Sequence, residues 1–169
     1  MEDDQRSKVQ KENVGNAGDY YIAARLSALD FVTTITIGRA ERYDMLALSP
    51  KGKLLKLSVN AGQNEDVNSF SLSCNDERGA AADFYFALAK LNRFEPEPDF
   101  WIITSETVCP VVKESRRRPL ELQGKYNEVH KDSTVRVLPS KLTKGQRALY
   151  YENWEEKVKE YHKNLKLLL

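Results

Sequence analysis

Two carboxylates stand out as residues able to do chemistry. Asp19 lies three residues before Ile22 and seven before Leu26, so on a helix it shares their apolar side. At a first helical turn it would also be an ordinary partner of the helix dipole, worth ~0.3–1 kcal/mol. Asp44 opens the run Asp44-Met45-Leu46-Ala47-Leu48, where alternation sets it on the face of Leu46 and Leu48. An acid among apolar neighbours is costly unless a metal ion, a hydrogen bond or a basic partner satisfies it.

Other chemistries lack their residues. The two histidines, His130 and His162, have no Cys or Ser beside them in a nucleophile arrangement. Cys74 and Cys109 make neither a disulfide framework nor a CxxC metal site. Gly15 and Gly18 precede a helix without following a strand, so no dinucleotide or P-loop phosphate cradle is encoded. These gaps remove most dehydrogenases, P-loop ATPases, serine-type hydrolases and zinc enzymes.

The elements that must position the two acids read as follows. Residues 1–14 are polar without an apolar period, and are expected as a flexible tail ahead of a single domain over 15–169. Asn16 caps an amphipathic helix over Ala17–Leu29, followed by a β-branched strand, Phe31–Ile37. Tyr43–Leu48, the turn Ser49-Pro50-Lys51-Gly52 and Lys53–Asn60 form a hairpin, with Leu55, Leu57 and Val59 on one face. Some strand character surrounds Phe70–Leu72. Residues 83–91 fit helix or strand, and Phe100–Thr104 is a buried strand from which Ser105 opens a short helix. A basic, turn-rich segment over Ser115–Pro139 leads to a helix over Thr143–Leu168, with Trp154, Val158, Tyr161 and Leu165 on one face. The order implies an α/β sandwich with an antiparallel hairpin at its centre.

Composition is that of a globular chain, 41% hydrophobic and 30% charged, with no apolar run approaching a membrane span. The acidic start Met1-Glu2-Asp3-Asp4 is unlike a secretory signal, so a cytoplasmic protein without membrane partners is expected. A net charge of +1 hides an excess: between Lys113 and Arg147, ten Lys or Arg face four acids. That excess reads either as a solvated loop region or as a phosphate-facing patch led by Arg116, Arg117 and Arg118, with Lys141 and Lys144.

Three stretches carry a family resemblance: Gly15-Asn16-Ala17-Gly18-Asp19-Tyr20-Tyr21-Ile22-Ala23-Ala24-Arg25-Leu26, then Asp44 to Gly52, then Leu57-Ser58-Val59-Asn60. Together they resemble the PD-(D/E)XK nuclease superfamily, among its small bacterial domains. Asp83-Phe84-Tyr85-Phe86 and Pro98 to Ile103 resemble two further strands of that family, which favours strand over helix for 83–91. The likeness runs from about Val14 to Val112, with Trp154 a fainter echo. It implies a restriction-endonuclease-like core: a mixed sheet of about five strands flanked by helices.

The resemblance also implies metal-assisted phosphodiester hydrolysis. Two carboxylates and a strand carbonyl hold Mg²⁺, and a lysine on the same strand orients water and stabilises developing charge. Asp19 matches the helical acid and Asp44 the strand acid. The third strand departs from the family, with Ser58 where an acid or Gln is expected and Asn60 in place of the lysine. Loss of one electrostatic stabiliser costs roughly 10²–10³ in rate, and loss of a carboxylate ligand weakens Mg²⁺ binding. Lys56, about 7 Å from Ser58 at ~3.4 Å per residue, is the one candidate for a displaced lysine.

Three expectations follow. The first is a catalytically impaired nuclease fold that binds DNA or another nucleic acid. The second is an active Mg²⁺-dependent endonuclease using Asp19, Asp44 and Lys56. The third is a structural or assembly protein of the same fold, acting as a homodimer.

Overall fold

Alternation of Leu55 and Leu57 with Lys56 and Ser58 builds the strand around which the molecule is layered. The computed structural model describes residues 2–36, 42–64, 66–121, 133–144, 146 and 153–169, with 2–9 and 118–121 as backbone alone. The elements are α1 (Glu2–Ser27), β1 (Val32–Ile35), β2 (Met45–Leu48), β3 (Leu54–Gly62), β4 (Ser69–Ser73), β5 (Phe84–Lys90), β6 (Asp99–Thr104), α2 (Ser105–Glu121), β7 (Val135–Pro139) and α3 (Trp154–Glu160). Short 3-10 turns cover Cys74–Glu77, Asn92–Phe94 and Leu165–Leu168.

Five strands form a mixed sheet in the order β1-β2-β3-β5-β6. The β3–β5 pair is parallel and the other pairs are antiparallel. A parallel step needs a crossover connection, and here the crossover contains β4, which pairs antiparallel with β7 in a second, two-stranded sheet. The expected α/β architecture, a five-stranded mixed sheet with flanking helices, is the one observed.

The sheet separates two cores. On one face, Leu55 and Leu57 of β3 pack with Ile22 and Leu26 of α1, Met45 and Ala47 of β2, and Leu165 and Leu168. On the other, Phe86 and Leu88 of β5 pack with Val108 and Val112 of α2, Leu138 of β7, and Trp154 and Val158 of α3. Strand β5 lies between them and is buried from Phe84 to Ala89. Burying a side chain of this size contributes roughly 1.5–3 kcal/mol before entropy is counted, so both layers hold the sheet.

Several expected boundaries move. Helix α1 begins at Glu2 and not near Ala17, so Asn16 is interior and residues 2–14 continue the helix. Helix α2 runs for 17 residues, and β7 forms within the stretch expected to be turns. The C-terminal helix is confined to Trp154–Glu160, with a 3-10 turn at Leu165–Leu168. On β2 the parity is reversed: Met45 and Ala47 are fully buried, whereas Leu48 is 41% exposed. All four residues are apolar, so alternation carried no information there. No helix among the described residues is long and apolar enough to cross a membrane.

Candidate functional site

Gly18 sets the position of α1. A Cβ at Gly18 would lie 2.4 Å from the Ala61 Cβ and 3.7 Å from Val59 Cγ1, so its missing side chain lets the helix rest directly on β3. The next residue, Asp19, is carried to the same stretch of strand. It lies in the body of a helix that starts at Glu2, which removes the first-turn dipole role.

Strand β2 leaves β3 at Asp44. The regular pairing ends at Met45↔Leu57, and the Asp44 amide donates to the Leu57 carbonyl at 2.9 Å. Asp44 Oδ2 accepts the Val59 amide at 2.7 Å, so a carboxylate takes over where the strand ladder stops. Thr36 holds the departing backbone, its amide donating to the Asp44 carbonyl at 2.9 Å and its hydroxyl to the Tyr43 carbonyl at 3.2 Å.

Asp19 and Asp44 lie within each other's field. The Asp19 carboxyl is raised to about 7, first by burial and then by the charge of Asp44. No group among the described residues hydrogen-bonds to its carboxylate. Asp76 is a third acid in the field of Asp44. Burial raises it, against the Ser73 amide and Arg42, and Asp44 raises it further. Its Oδ2 accepts the Ser73 amide at 2.7 Å in a capping box, a structural use of that side chain.

The remaining sequence candidates separate from this pair. Ser58 and Asn60 alternate with Leu57, Val59 and Ala61, which pack toward α1, so their side chains leave β3 on the opposite face from Asp19. Neither forms a side-chain hydrogen bond among the described residues. Lys56 Nζ is bound to Asp83 Oδ2 at 2.9 Å, and that hydrogen bond holds the Asp83 carboxyl below its ordinary range.

The donor set fits a weakly held divalent cation. Mg²⁺ is commonly bound through one or two carboxylates, with water and substrate phosphate completing its shell. A cation would relieve the repulsion that the charge of Asp44 adds to the burial of Asp19. Among the described residues no cluster of three or more His, Cys, Asp or Glu side chains converges.

The basic segment is less of a surface than its charge count implies. Arg136 is buried on β7 and paired with Glu77, an acid outside that segment. Arg117 forms a two-point contact with Glu114, at 2.9 and 2.6 Å. Arg116 is half-buried, Lys141 and Lys144 are exposed, and the Arg118 side chain and His130 lie outside the described residues.

Sequence reasoning missed the Val59 amide, the role of Gly18 and the field of Asp76. Only Gly18 carried a signal, a helix-interior glycine at the residue before a candidate acid.

No family model and no curated protein matches the sequence. Among solved structures, the chain is similar to the bacterial homing endonuclease I-Ssp6803I at 12% identity, over 88% of this chain and 91% of that one, with a TM-score of 0.43.

Proposed function

We propose that this chain is a nucleic-acid-binding protein of PD-(D/E)XK nuclease architecture whose phosphodiester chemistry is impaired. The observation that carries the reading is the Asp19–Asp44 pair at the point where β2 parts from β3, while Ser58 and Asn60, the residues matching the motif's acid and lysine, leave β3 on the opposite face. Asp19 and Asp44 are the residues that would hold Mg²⁺, which when bound supplies Lewis acidity and an activated water. Asp44 would stay oriented by the Val59 amide, and Gly18 would keep Asp19 against the strand. Asn60 carries no charge, and Lys56 is engaged by Asp83. The groups that orient water and stabilise charge are therefore the missing part. Arg116, Lys141 and Lys144 supply contacts to phosphate, each worth ~0.9 in the slope of log affinity against log salt on duplex DNA.

Incubation with supercoiled plasmid in Mg²⁺ or Mn²⁺ tests this reading. The wild-type chain is expected to bind DNA in a salt-dependent way and to leave it uncut. Because Ser58 and Asn60 leave β3 on the face opposite Asp19, Ser58→Glu combined with Asn60→Lys is expected to leave metal binding and the absence of cleavage unchanged. Robust cleavage by the wild type, abolished by Asp44→Ala, would overturn the impaired reading.

A further inference from the structure

At the β6 edge of the sheet, three elements enclose a cleft of about 410 Å³. One wall is the β5–β6 edge with Lys90, Asp99 and Trp101, another the end of β7 with Lys141, and the third α3 and the residues after it, with Lys159 and His162. The size matches a site for a single small ligand.

The charges of this cleft are unevenly satisfied. His162 Nε2 donates to Asp99 Oδ1 at 2.9 Å, and Lys163 Nζ lies 3.3 Å from the same oxygen. Burial works to raise the Asp99 carboxyl, but these two contacts outweigh it and keep it below its ordinary range. Asp99 is thus already neutralised from its own side. Glu155, the other acid of the lining, accepts the Leu142 amide at 2.9 Å. Lys90, Lys141 and Lys159 enter the cleft without an ion pair among the described residues. Three ammonium groups on low-dielectric walls focus a positive potential on the space between them. Trp101 forms part of the floor, with its ring centroid 5.2 Å from that of His162 and 6.1 Å from that of Phe70.

We propose that this cleft is a binding site for a nucleotide phosphate, held by Lys90, Lys141 and Lys159 beside Trp101. The three lysines come from three separate elements that the fold brings together, so no sequence motif announces them. A nucleotide phosphate fits better than a carboxylate because it presents three acceptor oxygens to three cations. The site is independent of the Asp19–Asp44 pair, which lies on the other side of β5. The same phosphate chemistry is offered by a free mononucleotide and by one unit of a single strand, in which lysines follow the backbone.

The chain holds two tryptophans, and the second, Trp154, is fully buried with its indole N–H donating to the Pro139 carbonyl at 2.8 Å. Trp154→Phe therefore leaves Trp101 as the single fluorescent reporter of the cleft. Titration of that protein with AMP and, separately, with a 12-residue oligothymidylate is expected to give a saturable change in Trp101 emission with at least one probe. Response to AMP identifies a free nucleotide as ligand, and response to the oligonucleotide alone identifies a single strand. In either case Lys90→Gln with Lys159→Gln is expected to lower affinity at least tenfold. For the oligonucleotide, the log–log salt slope should fall by about 0.7 per lost contact. Equilibrium dialysis of both probes against the chain with Trp154 intact gives the same comparison should the Phe variant not fold. No binding of either probe, or equal binding by the double lysine variant, would overturn the proposal. The plasmid assay reads the Asp19–Asp44 pair and not this cleft, so failure of one reading is distinguishable from failure of the other.

Discussion

Asp44 Oδ2 accepts the Val59 amide at 2.7 Å, bridging two strands at the place where their backbone ladder ends. A buried or half-buried amide left without an acceptor costs about 1–3 kcal/mol. Asp44→Ala removes the acceptor, whereas Asp44→Asn keeps a carbonyl oxygen there. Urea denaturation should therefore show Asp44→Ala less stable than Asp44→Asn by about 1 kcal/mol or more. Equal stabilities would mean that the bond contributes nothing at the splay.

Gly18→Ala sets two effects against each other. Alanine favours a helix interior over glycine by about 1 kcal/mol, but its Cβ would stand 2.4 Å from the Ala61 Cβ. Overpacking of this kind costs about 1–3 kcal/mol, so a net loss of stability is expected. Ala61→Gly in the same chain removes the collision and should recover most of that loss. Recovery in the double variant, measured by thermal denaturation, distinguishes the close approach from a general effect of the substitution.

Asp19 makes stability fall as pH rises. Its carboxyl titrates from the ordinary 3.8 in the unfolded chain and at about 7 in the folded one. Between those values the folded state holds a proton that the unfolded state has released. The stabilisation is complete below about pH 4 and is lost as pH climbs through about 7. Asp19→Asn cannot ionise and escapes this loss, so it should melt above the wild type at pH 8 and lose that advantage at pH 4. Parallel melting curves across the range would contradict the environment described for Asp19.

Arg136 and Glu77 join β7 to the 3-10 turn that follows β4, with the arginine side chain only 5% exposed. Removing the carboxylate takes a charge-assisted hydrogen bond from a buried guanidinium that keeps other contacts, among them the Ser133 and Val135 carbonyls, and costs about 1.5–3 kcal/mol. Glu77→Ala should destabilise the chain by about that amount while leaving the salt dependence of DNA binding unchanged. A change in salt slope would place Arg136 among the phosphate contacts.

The legibility of these features in the sequence followed the strength of their patterns. Strand β3 was readable because Leu55 and Leu57 alternate with Lys56 and Ser58, and β1 because its residues are β-branched. The parity of β2 was not, since Met45-Leu46-Ala47-Leu48 is apolar on both faces. Helix α1 over 2–14 has no apolar stripe, and its run of Glu, Gln, Lys and Arg signals helix only through intrinsic propensity. The C-terminal helix was over-extended because Leu165 keeps the period of Trp154 and Val158. The backbone instead turns left-handed at Lys163 (φ 51°), whose amide bonds to the Phe100 carbonyl. Asp19 and Asp44 could be singled out as acids near apolar residues. Their mutual field could not, because it depends on how closely Gly18 brings α1 to β3. The lysine cleft was unreadable for a related reason: its residues are scattered from Lys90 to Lys159.

Asp19 and Asp44 are proposed to act together as the cation-holding pair of a nuclease-type site. Titration of the wild-type chain with Mn²⁺, followed by the electron paramagnetic resonance of the free ion, tests it most directly. One weak saturable site is expected in the wild type, lost in both Asp19→Asn and Asp44→Asn and retained in Asp99→Asn. Binding that survives both Asp19→Asn and Asp44→Asn, or a wild-type chain that takes up no Mn²⁺ at all, would contradict it.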